Sequence, residues 1–114
     1  MKITDYSFGR IVIGDKEYRA DVIVDNHSVR PNWWRKEGHK LQLEDLQQVI
    51  EEVAPEVVVV GKGKFGMMRV SPEVERYLAE KGIELQAAPT AAAVEEFNRL
   101  VDKRRVLGAF HLTC

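Results

Sequence analysis

The sequence predicts an α/β domain spanning residues 1–114, with an N-terminal β-hairpin followed by a parallel strand–helix–strand unit. Three observations carry that expectation. Val57-Val58-Val59-Val60 is apolar on both faces, which suits a central strand covered from both sides. Apolar residues at helical spacing, such as Leu43, Leu46, Ile50 and Val53, alternate along the chain with short β-branched runs. Turn chemistry at Gly14-Asp15, Ser71-Pro72 and Gly82 separates these segments. The implied order is ββ-α-β-α-β-α-β.

Taken in order, Phe8–Ile13 and Tyr18–Val24 form the hairpin across Gly14-Asp15-Lys16. In the second strand Tyr18, Ala20, Val22 and Val24 share one face, while Arg19 and Asp21 point the other way. Asp25–Lys40 lacks a period and reads as a loop. Leu43–Val53 is a helix, with Glu44 and Asp45 favoured near its positive N-terminus and Pro55 after its end. The all-valine strand follows. Ser71-Pro72 supplies an N-cap and a proline at the first helical position, and that helix runs to about Lys81, with Gly82 as its exit. Ile83–Ala87 is a short strand, Ala91 to about Asp102 a third helix, and Val106–Leu112 the last strand. The middle strand–helix–strand unit is expected to be parallel and right-handed.

Composition excludes several classes. At 114 residues and 45% hydrophobic content the chain can bury its own core without disulfides or metal. The formal net charge of −1 gives no global attraction to nucleic acid. The one cysteine, Cys114, cannot form an internal disulfide, which fits a reducing compartment. No apolar run approaches the ~20 residues of a membrane span, and no signal stretch opens the sequence, so the expectation is a soluble protein of the cytoplasm without a membrane partner. His27, His39 and His111 show no metal-ligand spacing, so no metal is expected. No catalytic residues and no cofactor are assigned. Asp21 and Asp25 have no identifiable partner, and a satisfied structural histidine is expected at His111.

Two regions stand out as candidate sites. Gly61-Lys62-Gly63-Lys64-Phe65-Gly66 matches the G-x-G-x-x-G letters after a strand. The next helix opens only at Ser71-Pro72, too late for a dinucleotide fingerprint, and Met67-Met68 stand where a phosphate-binding loop needs Lys and Ser/Thr. A weaker expectation survives. The turn lies beyond the carboxyl end of one strand and Thr90-Ala91 beyond the next, so the two meet. Gly61, Lys62, Gly63, Lys64, Gly66, Thr90 and Ala91 then form a candidate small-anion site. Packing of a tight turn on an alanine-rich helix start is the competing expectation.

The second region is the loop holding Trp33 and Trp34 among Arg30, Arg35 and other cations. Aromatics beside arginines are enriched at protein interfaces. These four residues are the candidate interface; covering the sheet edge is the alternative, and stacking on single-stranded RNA is disfavoured.

Several stretches together carry a resemblance: Val57–Gly63, Gly82-Ile83-Glu84, Pro89-Thr90-Ala91-Ala92-Ala93-Val94-Glu95-Glu96-Phe97-Asn98-Arg99-Leu100 and Arg104-Arg105-Val106. The chain resembles a family of small uncharacterised α/β domains that includes the vertebrate adipogenesis-associated domain-containing protein. More distantly, the family takes in a mitochondrial assembly factor of respiratory complex I. The resemblance implies a three-layer arrangement whose mixed sheet has an antiparallel last strand. It also implies a non-enzymatic assembly or regulatory role. With the absent catalytic constellation and the tryptophan loop, it points to a protein-interaction module with an unknown protein partner, the chain itself being a monomer or weak homodimer. A small-anion or metabolite-binding domain is the alternative.

Overall fold

The structure is a computed structural model that describes residues 1–114. Its centre is a five-stranded mixed sheet. In chain order these strands are β4 (Val22–Val24), β5 (Val29–Arg30), β7 (Val57–Lys62), β9 (Glu84–Ala88) and β10 (Val106–His111). They lie side by side as β5-β4-β10-β7-β9. A small antiparallel sheet of β1 (Ile3–Ser7), β2 (Arg10–Ile13) and β3 (Lys16–Tyr18) packs on one face. β6 (Lys40–Leu41) and β8 (Arg69–Val70) form a short parallel pair at the carboxyl end of β7. The helices are α1 (Gln47–Val53), α2 (Pro72–Glu80) and α3 (Thr90–Leu100).

Alternation along the central strands sorts their side chains into two cores. Val57, Val59, Val106, Phe110, Val22 and Val24 face α3 and the small sheet. Val58, Val60, Leu107, Ala109 and Ile23 face α1 and α2. All four valines of β7 are fully withdrawn from water. Each such side chain contributes at most about 1.5–3 kcal/mol through burial. The three-layer arrangement follows from that, because a strand apolar on both faces needs a layer on each.

Four expectations need correction. The first is the order ββ-α-β-α-β-α-β: Ile3–Ser7 is a further strand ahead of Arg10–Ile13, and Asp25–Lys40, expected as a loop, holds the edge strand β5 paired antiparallel to β4. The last strand was expected to be antiparallel, but β10 runs parallel to β7, from Val106 opposite Val57 to His111 opposite Lys62. α3 carries the chain back across the sheet, so β10 enters from the same end as β7 and β9. The antiparallel neighbour is β4, with Phe110 opposite Val22. The expected strand Tyr18–Val24 is two strands, broken at Arg19-Ala20-Asp21 where the chain leaves the small sheet for the central one. The helix expected over Leu43–Val53 opens as a 3-10 turn, Leu43–Asp45, and is α-helical only from Gln47. The Asp45 carboxylate accepts the Gln42 and Lys36 amides there, at 2.8 and 3.3 Å.

Gly108 sits in the middle of β10 for a steric reason. The Phe97 and Phe110 rings meet edge to face with centroids 5.7 Å apart, and a Cβ on Gly108 would lie 2.5 Å from Phe110 Cε2 and 2.9 Å from Phe97 Cδ1. Both rings are fully buried, so either can move only by displacing its neighbours in a close-packed core. Gly108→Ala is expected to cost about 1–3 kcal/mol in urea unfolding. A change within about 0.5 kcal/mol would show that the rings are not locked.

Candidate functional site

The parallel strands β7, β9 and β10 all end on one side of the molecule, where the glycine turn, the start of α3 and the Trp33–Arg35 stretch lie, whereas Arg30 lines a groove at the other end. The glycine turn leaves β7 and meets the start of α3. Gly63 N–H donates to Thr90 Oγ1 at 2.8 Å, and the Thr90 hydroxyl donates to the His111 carbonyl at 2.6 Å. Thr90 N–H donates to the Gly63 carbonyl, Lys64 N–H to Thr113, and Gly66 N–H to Gly63. The amides of Gly63, Lys64 and Gly66 are thus committed to the chain itself. Gly61 and Gly63 are glycines because backbone and side chains crowd them. A Cβ on Gly61 would lie 2.9 Å from both Thr90 and Phe110, and one on Gly63 2.7 Å from the Thr113 and Cys114 carbonyl oxygens. Gly63 and Gly66 also take left-handed backbone angles, φ 97° and 67°. Ala91 and Lys64 are exposed, and Lys62 is half-buried.

A second cluster gathers Asp21, Arg35 and His111. Asp21 lies at the strand break, His111 ends β10, and Arg35 comes from the tryptophan loop. Asp21 Oδ1 accepts the Leu112 amide at 2.8 Å. Its Oδ2 lies 2.8 Å from both Arg35 Nη2 and His111 Nδ1. Nη2 and Nδ1 are 3.0 Å apart. A carboxylate oxygen can accept from both nitrogens, so this arrangement assigns the imidazole proton to Nδ1. Burial would push the Asp21 carboxyl up. The hydrogen bonds from His111, Leu112 N–H and Arg35 outweigh that and hold it below its ordinary value. The expected satisfied histidine is half met: Nδ1 is bonded, while His111 Nε2 and Arg35 Nη1 are buried without a partner. Nε2 is thus shielded from solvent.

This cluster orders the loop. Arg35 also donates to the Gly38 carbonyl from Nε and Nη2, at 3.3 and 2.9 Å, and its guanidinium lies 4.5 Å from the Trp33 ring centre. Trp33 packs against the α1–α2 core and donates its indole N–H to the Asp45 carbonyl at 3.3 Å. The four candidate interface residues therefore separate. Trp33 and Arg35 hold the loop, Arg30 pairs with Glu52 at 2.7 Å, and Trp34 stands 79% exposed. Sequence reasoning gave Asp21 no partner. Its only signal was a carboxylate on the polar side of a short strand, and His111 lies 90 residues away.

No group of three His, Cys, Asp or Glu side chains is placed to hold a metal ion. At the opposite end of the sheet, an open groove of about 750 Å³ runs between Asp25, His27, Arg30, Glu52, Arg104 and Arg105. Its charges are mixed, and Arg30 and Glu52 neutralise each other.

Asp21→Asn keeps the shape of the cluster and leaves a guanidinium that is 4% exposed without its counter-charge. The expected loss at neutral pH is about 3–5 kcal/mol. Because the folded-state pKa of Asp21 is depressed, its contribution is complete above the ordinary carboxylate range. It fades as pH falls through the folded value. Urea titrations of both proteins should show the gap closing in acid, and a gap that stays constant would contradict the assignment.

Comparison with known proteins places this geometry in context. The chain is 30% identical over 113 residues to the NADH dehydrogenase [ubiquinone] 1 alpha subcomplex assembly factor 3 of Xenopus tropicalis. The match takes in 96% of this chain and 59% of that protein, so the chain spans little more than half the length of this relative. Among solved structures, a conserved hypothetical protein of Pyrococcus horikoshii OT3 matches over 100% of both chains with a TM-score of 0.85 and 28% identity. A Bordetella parapertussis protein matches over 97% of this chain and 94% of its own, with a TM-score of 0.82 and 27% identity. Residues 3–111 match the model of a family described as protein of unknown function (DUF498/DUF598), and the chain belongs to that family.

Proposed function

We propose that this chain is a non-enzymatic docking module that serves the assembly or regulation of a protein complex, with Trp34 as its anchor. The observation that carries the reading is the contrast between two adjacent tryptophans. Trp33 is fixed by packing, a hydrogen bond and a cation–π contact. Trp34 leaves 79% of its surface in water on the same braced loop. A large aromatic on a rigid support loses little conformational freedom on binding, and tryptophan is enriched among the residues that dominate interface energies. Beside it lies a shallow depression formed with Lys36, Glu44 and Asp45, whose polar groups suit the rim of such a contact. The assembly-factor relative supports the same class of role. The small-anion reading of Gly61–Gly66 and Thr90 gains no comparable support, since the Gly63, Lys64 and Gly66 amides already have acceptors within the chain.

The test is partner capture by the wild type and by Trp34→Ala at equal concentration. The variant is expected to keep its unfolding free energy within about 0.5 kcal/mol, because the side chain it loses is exposed. It is expected to bind the captured partner at least about 30-fold more weakly. Equal capture by both proteins would remove Trp34 as the anchor.

A further inference from the structure

The outward side of the glycine turn has a chemistry that the tryptophan loop lacks. Phe65 and Met67 are 67% and 60% exposed, at the tip of a turn whose sequence from Gly61 to Val70 contains no acid. Lys62, Lys64 and Arg69 flank them, and Lys40 lies opposite Arg69 in the β6–β8 pair. None of these four cations is ion-paired. Lys62, Met67, Arg69 and the single acid Glu75 line one open groove beside the tip, while Phe65 lies outside it near the Lys64 ammonium. The backbone beneath is held by the Gly63, Lys64 and Gly66 hydrogen bonds, so the tip is ordered before it meets anything.

From this juxtaposition of two exposed apolar side chains and three unpaired cations on a rigid, projecting turn, with unpaired Lys40 beside it, we infer that the turn docks the protein on an anionic lipid surface. Phe65 and Met67 enter the boundary between headgroups and acyl chains, and Lys62, Lys64, Arg69 and Lys40 lie against the phosphates. Charge complementarity selects an anionic occupant. The two exposed apolar side chains beside those cations select a bilayer over a plain polyanion, because a polyanion offers Phe65 and Met67 no apolar phase to enter. Stable surface binding takes two signals, apolar insertion and basic charge, and both are present within eight residues. Such docking needs no spanning helix, and no helix here is long and apolar enough to cross a membrane.

The full chain is sedimented with vesicles of phosphatidylcholine alone and of phosphatidylcholine mixed with phosphatidylglycerol. Binding is expected only to the mixed vesicles, and it should weaken as salt rises. Lys62→Gln with Lys64→Gln should lower partitioning about 20- to 30-fold. Phe65→Ala with Met67→Ala should lower it at least about tenfold. Lys64, Phe65 and Met67 are exposed and Lys62 is half-buried, and unchanged circular dichroism and unfolding midpoints check that both double variants fold. Trp34→Ala should bind vesicles as the wild type does, so this result is read independently of the docking role proposed for that residue. Absence of binding, equal binding to both vesicle types, or full binding by either double variant would overturn the inference. So would lysine-dependent capture of poly-glutamate without vesicle binding, which would assign the surface to an acidic polypeptide.

Discussion

The architecture rests on strands that are apolar on both faces. β7 and β10 pair in parallel through six positions, and every residue of β10 and five of the six in β7 are buried. Such a pair excludes water only when both faces are covered, and the chain supplies α3 with the small sheet on one side and α1 with α2 on the other. Parallel crossovers then bring the carboxyl ends of β7, β9 and β10 to one side. The tryptophan loop, the glycine turn and the start of α3 meet there as a consequence of that covering.

Two polar groups finish the carboxyl side in different ways. The Thr90 hydroxyl joins the glycine turn to the end of β10, accepting from Gly63 and donating to His111. The Asp21 carboxylate joins the strand break, the end of β10 and the tryptophan loop through Leu112, His111 and Arg35. A guanidinium this deeply buried is costly to desolvate and is tolerated when its charge is matched. The unpartnered Arg35 Nη1 and His111 Nε2 are the residual cost of that arrangement. What the pair achieves is position: the loop is fixed from within, and Trp34 is left outside.

Much of this was legible in the sequence, for local reasons. The all-valine strand, the Ser71-Pro72 cap and the Gly82 exit each depend on residues close together in the chain, and each stands where expected. The meeting of the glycine turn with Thr90 followed from parallel topology alone. The purpose of the glycines did not, because it depends on Phe110, Thr113 and Cys114, which only the fold brings against them. The antiparallel last strand was implied by the resemblance alone and is overturned by its parallel pairing with β7, while the break at Asp21 was missed for a related reason. Alternating hydrophobicity reports which faces are buried, and it does not report which strand lies beside which. Arg35 illustrates the point most sharply. In the sequence it is one cation among several beside two tryptophans; in the fold it is the buried counter-charge that separates a structural tryptophan from an exposed one.

The central claim is that the Asp21–Arg35 latch presents Trp34 to a protein partner. Site-specific photocrosslinking measures this most directly, with a photoreactive phenylalanine in place of Trp34 and a control of the same kind in place of Glu95 on the exposed face of α3. The account predicts one recurrent protein adduct from position 34 and none from position 95. Adducts of equal yield from both positions, or none from position 34, would contradict it.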